Sequence, residues 1–159
     1  MRGFATATAM LVATLACAGT ADAEELFKAT LSGGQEVPAV DTPASGKAFF
    51  RLLGSGDAVE VELHVSDGVG ITQAHIHCAP AGVNGAVVVF LAGLHAAGLD
   101  VDGKWIGNAT FTDASIVNFA CGASVAELAE SMRAGNTYAN VHSLDFPAGE
   151  IRGQIEPTQ

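Results

Sequence analysis

The chain has 159 residues, 49% of them hydrophobic, and its 17 acidic against 7 basic side chains give a net charge of −10. So acidic a surface repels phosphate backbones, and with no basic stripe along the chain it excludes nucleic-acid binding. Beyond residue 23 no apolar run is long enough to cross a bilayer, so the mature chain is expected to carry no membrane span.

The chain opens on Met1-Arg2, a short positive end, followed by "FATATAMLVATLACAG", an apolar run too short to span a bilayer. Ala21-Asp22-Ala23 then supplies the small-x-small pattern that signal peptidase reads. Residues 1–23 are read as a secretory signal peptide and 24–159 as one exported domain, secreted or periplasmic. The leader contains Arg2 and Asp22, so its removal leaves the net charge unchanged. A lipoprotein anchored through Cys17 is the lesser reading, because Thr14 stands where a lipobox carries an aliphatic residue.

Alternation of period two dominates the rest of the chain. Strands are expected over 26–33 and 46–53, and then over 58–65, where Val59, Val61, Leu63 and Val65 share one face and Glu60, Glu62 and His64 the other. Further strands are expected over 86–93, 104–111, 137–143 and 150–156, each bounded by Gly, Pro, Asp, Asn or Ser. "GSGD" at 54–57 predicts a hairpin turn, and "DFPAGE" links the last two strands. One segment has helical spacing instead. Ser124 and Glu127 form a capping box, Val125, Leu128, Ala129 and Met132 follow on one face, and Gly135 suits a C-terminal cap, which predicts a helix over about 124–134. The fold class that results is mainly β: an antiparallel β-sandwich of about seven to eight strands with one helical crossover.

Cys78 and Cys121 remain after the leader, and in an oxidising compartment an even pair most often closes one disulfide. The alternative is Cys78 as a metal ligand beside the histidines of "QAHIHC". On a strand, residues two apart face the same way, so His75 and His77 project together and Ile76 points to the opposite face. In "YANVH", Tyr138, Asn140 and His142 likewise share a face. If the two strands lie close, His75, His77 and His142 converge as an open three-imidazole site suited to copper or zinc, with His64 and His95 as spare candidates. Against this stands a structural account, in which the histidines hydrogen-bond to backbone and Glu36, Asn140, Glu150 and Arg152 form a buried polar network. In that network Glu36 pairs with Arg152 and pins the first segment to the last. No catalytic residues are assigned: Gly-x-Ser-x-Gly is absent, a disulfide removes both thiols, and the glycines sit at strand ends rather than in a phosphate loop.

Four segments in order, "LSGGQEVPAVDTPASGKAFF", "AHIHCAPAGVNGAVVVFL", "AGNTYANVHS" and "PAGEIRGQI", resemble the CHRD domain, which is named from chordin and is also common in secreted bacterial proteins. The motifs are Glu36-Val37-Pro38, His75-x-His77, Asn84-Gly85, Asn140-Val141-His142 and Gly149-Glu150-Ile151-Arg152-Gly153, and the resemblance covers roughly residues 26 to 156. It implies an exported β-sandwich and a binding or structural module rather than an enzyme. Its partner would be an unknown extracytoplasmic ligand or a metal ion. A looser likeness to copper/zinc superoxide dismutase rests on His75, His77, His142, the cysteine pair and Arg152. It departs after His77, where "CAPAGVNG" is too short for a zinc loop.

Overall fold

Period-two sequence becomes strand almost everywhere it occurs in residues 24–158, the part of the chain that the computed structural model describes. The leader expected over 1–23, Cys17 included, lies outside the described residues. The strands are β1 (Glu25–Ser32), β2 (Ser45–Leu52), β3 (Ala58–Cys78), β4 (Ala86–Ala92), β5 (Leu99–Thr112), β6 (Thr137–Ser143), β7 (Ile151–Gln154) and β8 (Glu156–Pro157). Among the described residues one α-helix, α1 (Val125–Arg133), stands between β5 and β6. Every pairing is antiparallel. Among the described residues no helix is long and apolar enough to cross a membrane.

β3 organises the molecule. Its first half pairs with β2 and β5, its second half with β4 and β6. The change of partners falls where Asp67 and Gly70 take positive φ (54° and 62°), a bend that lets one strand serve two layers. One layer is therefore β8, β1, β2, β3 and β5; the other is β4, β3, β6 and β7. A single pair, Ser32↔Arg152, joins β1 to β7 and closes β1, β2, β3, β6 and β7 into a five-stranded ring. Phe27, Phe50, Leu63, Ile76, Val141 and Ile151 belong to the core, each at most 2% exposed.

Local sequence explains the remaining joints. The β2–β3 hairpin turns at 54–57, with Leu53 N–H donating to Ala58 O (3.0 Å) and Gly56 at φ 73°. At the start of α1, Ser124 Oγ accepts from Glu127 N–H (3.3 Å) and Asp113 Oδ1 from Val125 N–H (2.6 Å), while the Glu127 carboxylate accepts from Ala123 N–H (2.7 Å), so two of the helix's orphan donors are satisfied by side chains. Val125, Leu128, Ala129 and Met132 turn inward from it.

Three strand boundaries differ from the sequence expectation. The strand expected over 58–65 runs on to Cys78, because the positive-φ bend redirects the chain without ending it. The strand expected over 104–111 begins at Leu99, since Val101 and Leu99 still find partners on β3 past its bend, at Gly68 and Ile71. The one expected over 150–156 divides at buried Ile155, whose N–H donates to Thr137 O (3.0 Å). Cys78 and Cys121, 43 residues apart in sequence, are joined by a disulfide with their Cα atoms 5.6 Å apart, which removes Cys78 from the set of metal ligands.

Candidate metal centre

The second half of β3 lies between β4 and β6, and alternation divides its side chains. Ala74 and Ile76 enter the core, whereas His75 and His77 stand on the opposite face. On β6, Ala139 and Val141 enter the core, and Tyr138, Asn140 and His142 stand beside the histidines. The register Gln73↔His142, His75↔Asn140 and His77↔Tyr138 sets His142 diagonally across from His75. The three imidazoles each bring a nitrogen within 4.8 Å of the others.

This face of the sheet is not wet, since every residue of β6 is buried. Three connecting segments are tied down upon it by hydrogen bonds: the β1–β2 segment, the 79–85 turn and the 144–150 turn. Glu36 accepts from Asn140 Nδ2, which also donates to Ile151 O (3.0 Å). Thr42 Oγ1 donates to Glu150 Oε1 (2.7 Å). Arg152 reaches furthest: Nε donates to Gln35 O (2.6 Å), and Nη1 to Asn84 Oδ1 (2.9 Å) and Val83 O (3.3 Å). Its guanidinium lies over the Tyr138 ring at 4.6 Å, and Tyr138 stacks on His77 at 4.8 Å and 10° between planes. Arg152 Nε stands 3.8 Å from Glu36 Oε2, so the two charges face each other as an ion pair without a short hydrogen bond. Burial pushes the Glu36 carboxyl up, against the opposing pull of Arg152 and Asn140.

Two backbone carbonyls orient the histidines. Pro147 O accepts from His142 Nδ1 (3.1 Å) and Gly85 O accepts from His77 Nδ1 (3.0 Å). A carbonyl can only accept, so both rings carry hydrogen on Nδ1 and a lone pair on Nε2. His142 Nε2 accepts from His75 Nδ1 (3.0 Å). His75 Nε2 and His77 Nε2 are buried with no hydrogen-bond partner. Leaving a buried acceptor unmatched costs about 1–3 kcal/mol each; Thr137 Oγ1, Glu150 Oε2 and Arg152 Nη2 are unmatched too, but the two imidazole nitrogens are the ones whose chemistry suits a metal ion. Burial pushes all three imidazoles down from their ordinary range, His75 to about 3 with His142 and His77 adding to the effect. The rings are therefore neutral at pH 7, the state in which imidazole binds a metal.

Chemically, the trio fits a borderline metal ion. Imidazole suits copper and zinc, and a ligand ring whose other nitrogen donates to a carbonyl is the usual outer-shell arrangement. Nitrogens bound at about 2.0–2.1 Å stand roughly 3.3 Å apart in a tetrahedral site; one nitrogen from each ring lies within 4.8 Å of the others, so the trio must draw together to hold one ion. The spare candidates do not join them: His64 pairs with Glu62, and His95 packs 6.1 Å from the Trp105 ring.

Gly85 is where this site leaves no room for a side chain. A Cβ there would sit 2.0 Å from Cys78 O, and its own carbonyl holds His77. Gly85→Ala is expected to destabilise the protein by about 3 kcal/mol, at the upper end of overpacking costs. A urea midpoint unchanged from the parent protein would contradict this.

Sequence reasoning missed Phe90, which stands directly opposite His75 on β4, because no local pattern reports which residue a strand neighbour will face. Thr42 was also missed. The Asn84-Gly85 motif did mark its segment, and both residues hold members of the buried layer. A family model, the CHRD domain, matches residues 27–155. No curated protein and no solved structure gives a match.

Proposed function

The chain belongs to the CHRD domain family, and on that footing we propose that it is an exported, non-enzymatic binding module. Its ligand on this reading is a copper or zinc ion held by His75, His77 and His142. The observation that carries the reading is the pair of buried imidazole nitrogens, His75 Nε2 and His77 Nε2, that have no partner within the protein. One ion would satisfy both, and would recruit the His142 lone pair by displacing the hydrogen bond that it accepts from His75 Nδ1. Export is supported by the leader pattern over 1–23 and by the disulfide, which persists in oxidising compartments. The buried layer of Glu36, Asn140, Glu150 and Arg152 serves the site as its frame. It fixes the turns whose carbonyls orient His77 and His142.

A bound copper or zinc ion would supply Lewis acidity, and copper one-electron chemistry as well. The protein's own part is to present three neutral, pre-oriented imidazoles away from water. A second reading, a structural module with no metal, is favoured by one observation: His75 and His142 already hydrogen-bond to each other.

Elemental analysis of protein exported and purified without chelator or affinity tag separates the two. About one equivalent of copper or zinc is expected, falling to a small fraction in His75→Ala. Added ion at about 100 times its Kd should raise the unfolding free energy by about 2.7 kcal/mol. Substoichiometric copper and zinc, indifferent to His75→Ala, would sink the metal reading and leave the structural one.

A further inference from the structure

We propose that the side chain of Phe90 is the door through which small solutes reach the three imidazoles. The proposal rests on the metal reading for its use, since an ion must enter and leave, but it is a claim about access and can be tested apart from metal.

The argument starts from the closed state of the site. His75, His77 and His142 are all buried, and the Nε2 atoms of His75 and His77 are shut off from solvent. Two further aromatic rings touch the trio. Tyr138 is clamped between His77 and Arg152, accepts from Gly85 N–H (3.2 Å) and is 4% exposed, so it cannot swing aside without breaking the buried layer. Phe90 is different. It stands edge-to-face against His75, ring centroids 4.5 Å apart at 86°, yet it is 52% exposed. Half of its ring already faces water, and a rotation about χ1 takes it outward with no hydrogen bond lost.

Its place in the sheet favours the same role. β4 ends the strand order, with an isolated bridge (Val89↔Ile116) and a Val117 N–H to Val88 O bond (2.9 Å) on its outer side, so Phe90 lies near the sheet margin, with His75 next inward and His142 beyond. The β3–β4 register shifts between Ala74 and His75 and again between Ile76 and His77, so irregularities flank the pairing of His75 with Phe90. Bulges of this kind re-aim side chains and are common beside functional sites. Exposed side chains change rotamer in picoseconds to nanoseconds, so a door of this kind opens often and briefly. It sets how fast solutes pass while leaving the imidazole geometry alone.

The test uses Phe90→Ala, with Phe90→Leu as a milder variant should the first fold poorly. Diethylpyrocarbonate acylates imidazole lone pairs that solvent can reach, and peptide mapping reports each histidine separately in the metal-free protein. His75 modification is expected to be roughly tenfold faster in Phe90→Ala than in the parent, with His64 and His95 unchanged as internal controls. In zinc-loaded protein, release to a chromogenic chelator should also accelerate roughly tenfold, with little change in thermal midpoint. Unchanged rates of both kinds in a folded variant overturn the door. If the parent protein takes up no metal but His75 modification still accelerates, the door stands and the metal reading falls.

Discussion

Lowering the pH from 7 to 5 is expected to cost the metal-free protein about 2 kcal/mol through His75 alone. The unfolded chain takes up a proton on His75 near its ordinary value of 6.5, whereas the folded protein refuses it until about pH 3. Stability that is present above 6.5 is therefore lost progressively as the pH falls through the window between those values. His77 and His142, pushed down by the same burial, act in the same direction and steepen the loss. Glu36 opposes them. Its raised carboxyl is protonated in the folded protein before it is in the unfolded chain, so acidification relieves some of the cost of burying it. Urea unfolding at pH 7, 6 and 5 in the presence of chelator measures the slope, and His75→Asn should flatten it by close to one proton. A profile level from pH 7 to 5 would mean that the imidazoles protonate where they stand, and the neutral, buried trio would be rejected.

How much of this was legible beforehand follows from which features are local. Val59, Val61, Leu63 and Val65 announce a strand by themselves, because alternation is written in the nearest residues. Ser124, Glu127 and Gly135 announce both ends of α1 for the same reason. The continuation of β3 to Cys78 was hidden by Asp67 and Gly70, whose positive φ interrupts the pattern without interrupting the strand. The pairing of His75 with His77 was readable from a spacing of two. Their meeting with His142 depends on a β3–β6 register that shifts between Ile71 and Gln73, and no residue count gives that. Burial of the histidine face was the least legible feature. Alternation implies one dry face and one wet one, but the β1–β2 segment and two turns fold over β6 and leave both faces dry. Only Glu36, Asn84, Asn140 and Arg152, each in a short motif, hinted that these segments had somewhere polar to land.

Removing the disulfide by Cys78→Ala with Cys121→Ala is expected to cost about 4 kcal/mol, the chain-entropy value for a loop of 43 residues. The loop it closes holds β4, β5 and the approach to α1, so in the unfolded chain the link restrains about a third of the described residues. Its loss should also raise the urea m-value, because a chain without the link exposes more surface on unfolding. The effect reaches the histidines through position. Cys78 follows His77 on β3 and pairs with Thr137 at the start of β6, so the link fastens the end of the strand pair that carries all three imidazoles. It also holds the 79–85 turn at its origin, and that turn supplies the carbonyl that orients His77. The double variant should therefore lose metal affinity as well as stability, while a variant stripped of ligands, such as His75→Ala, should leave the m-value where it was. Equal stability with and without the link would mean that the unfolded chain is already confined around Cys78 and Cys121. In that case the entropy argument fails and only the positional one remains.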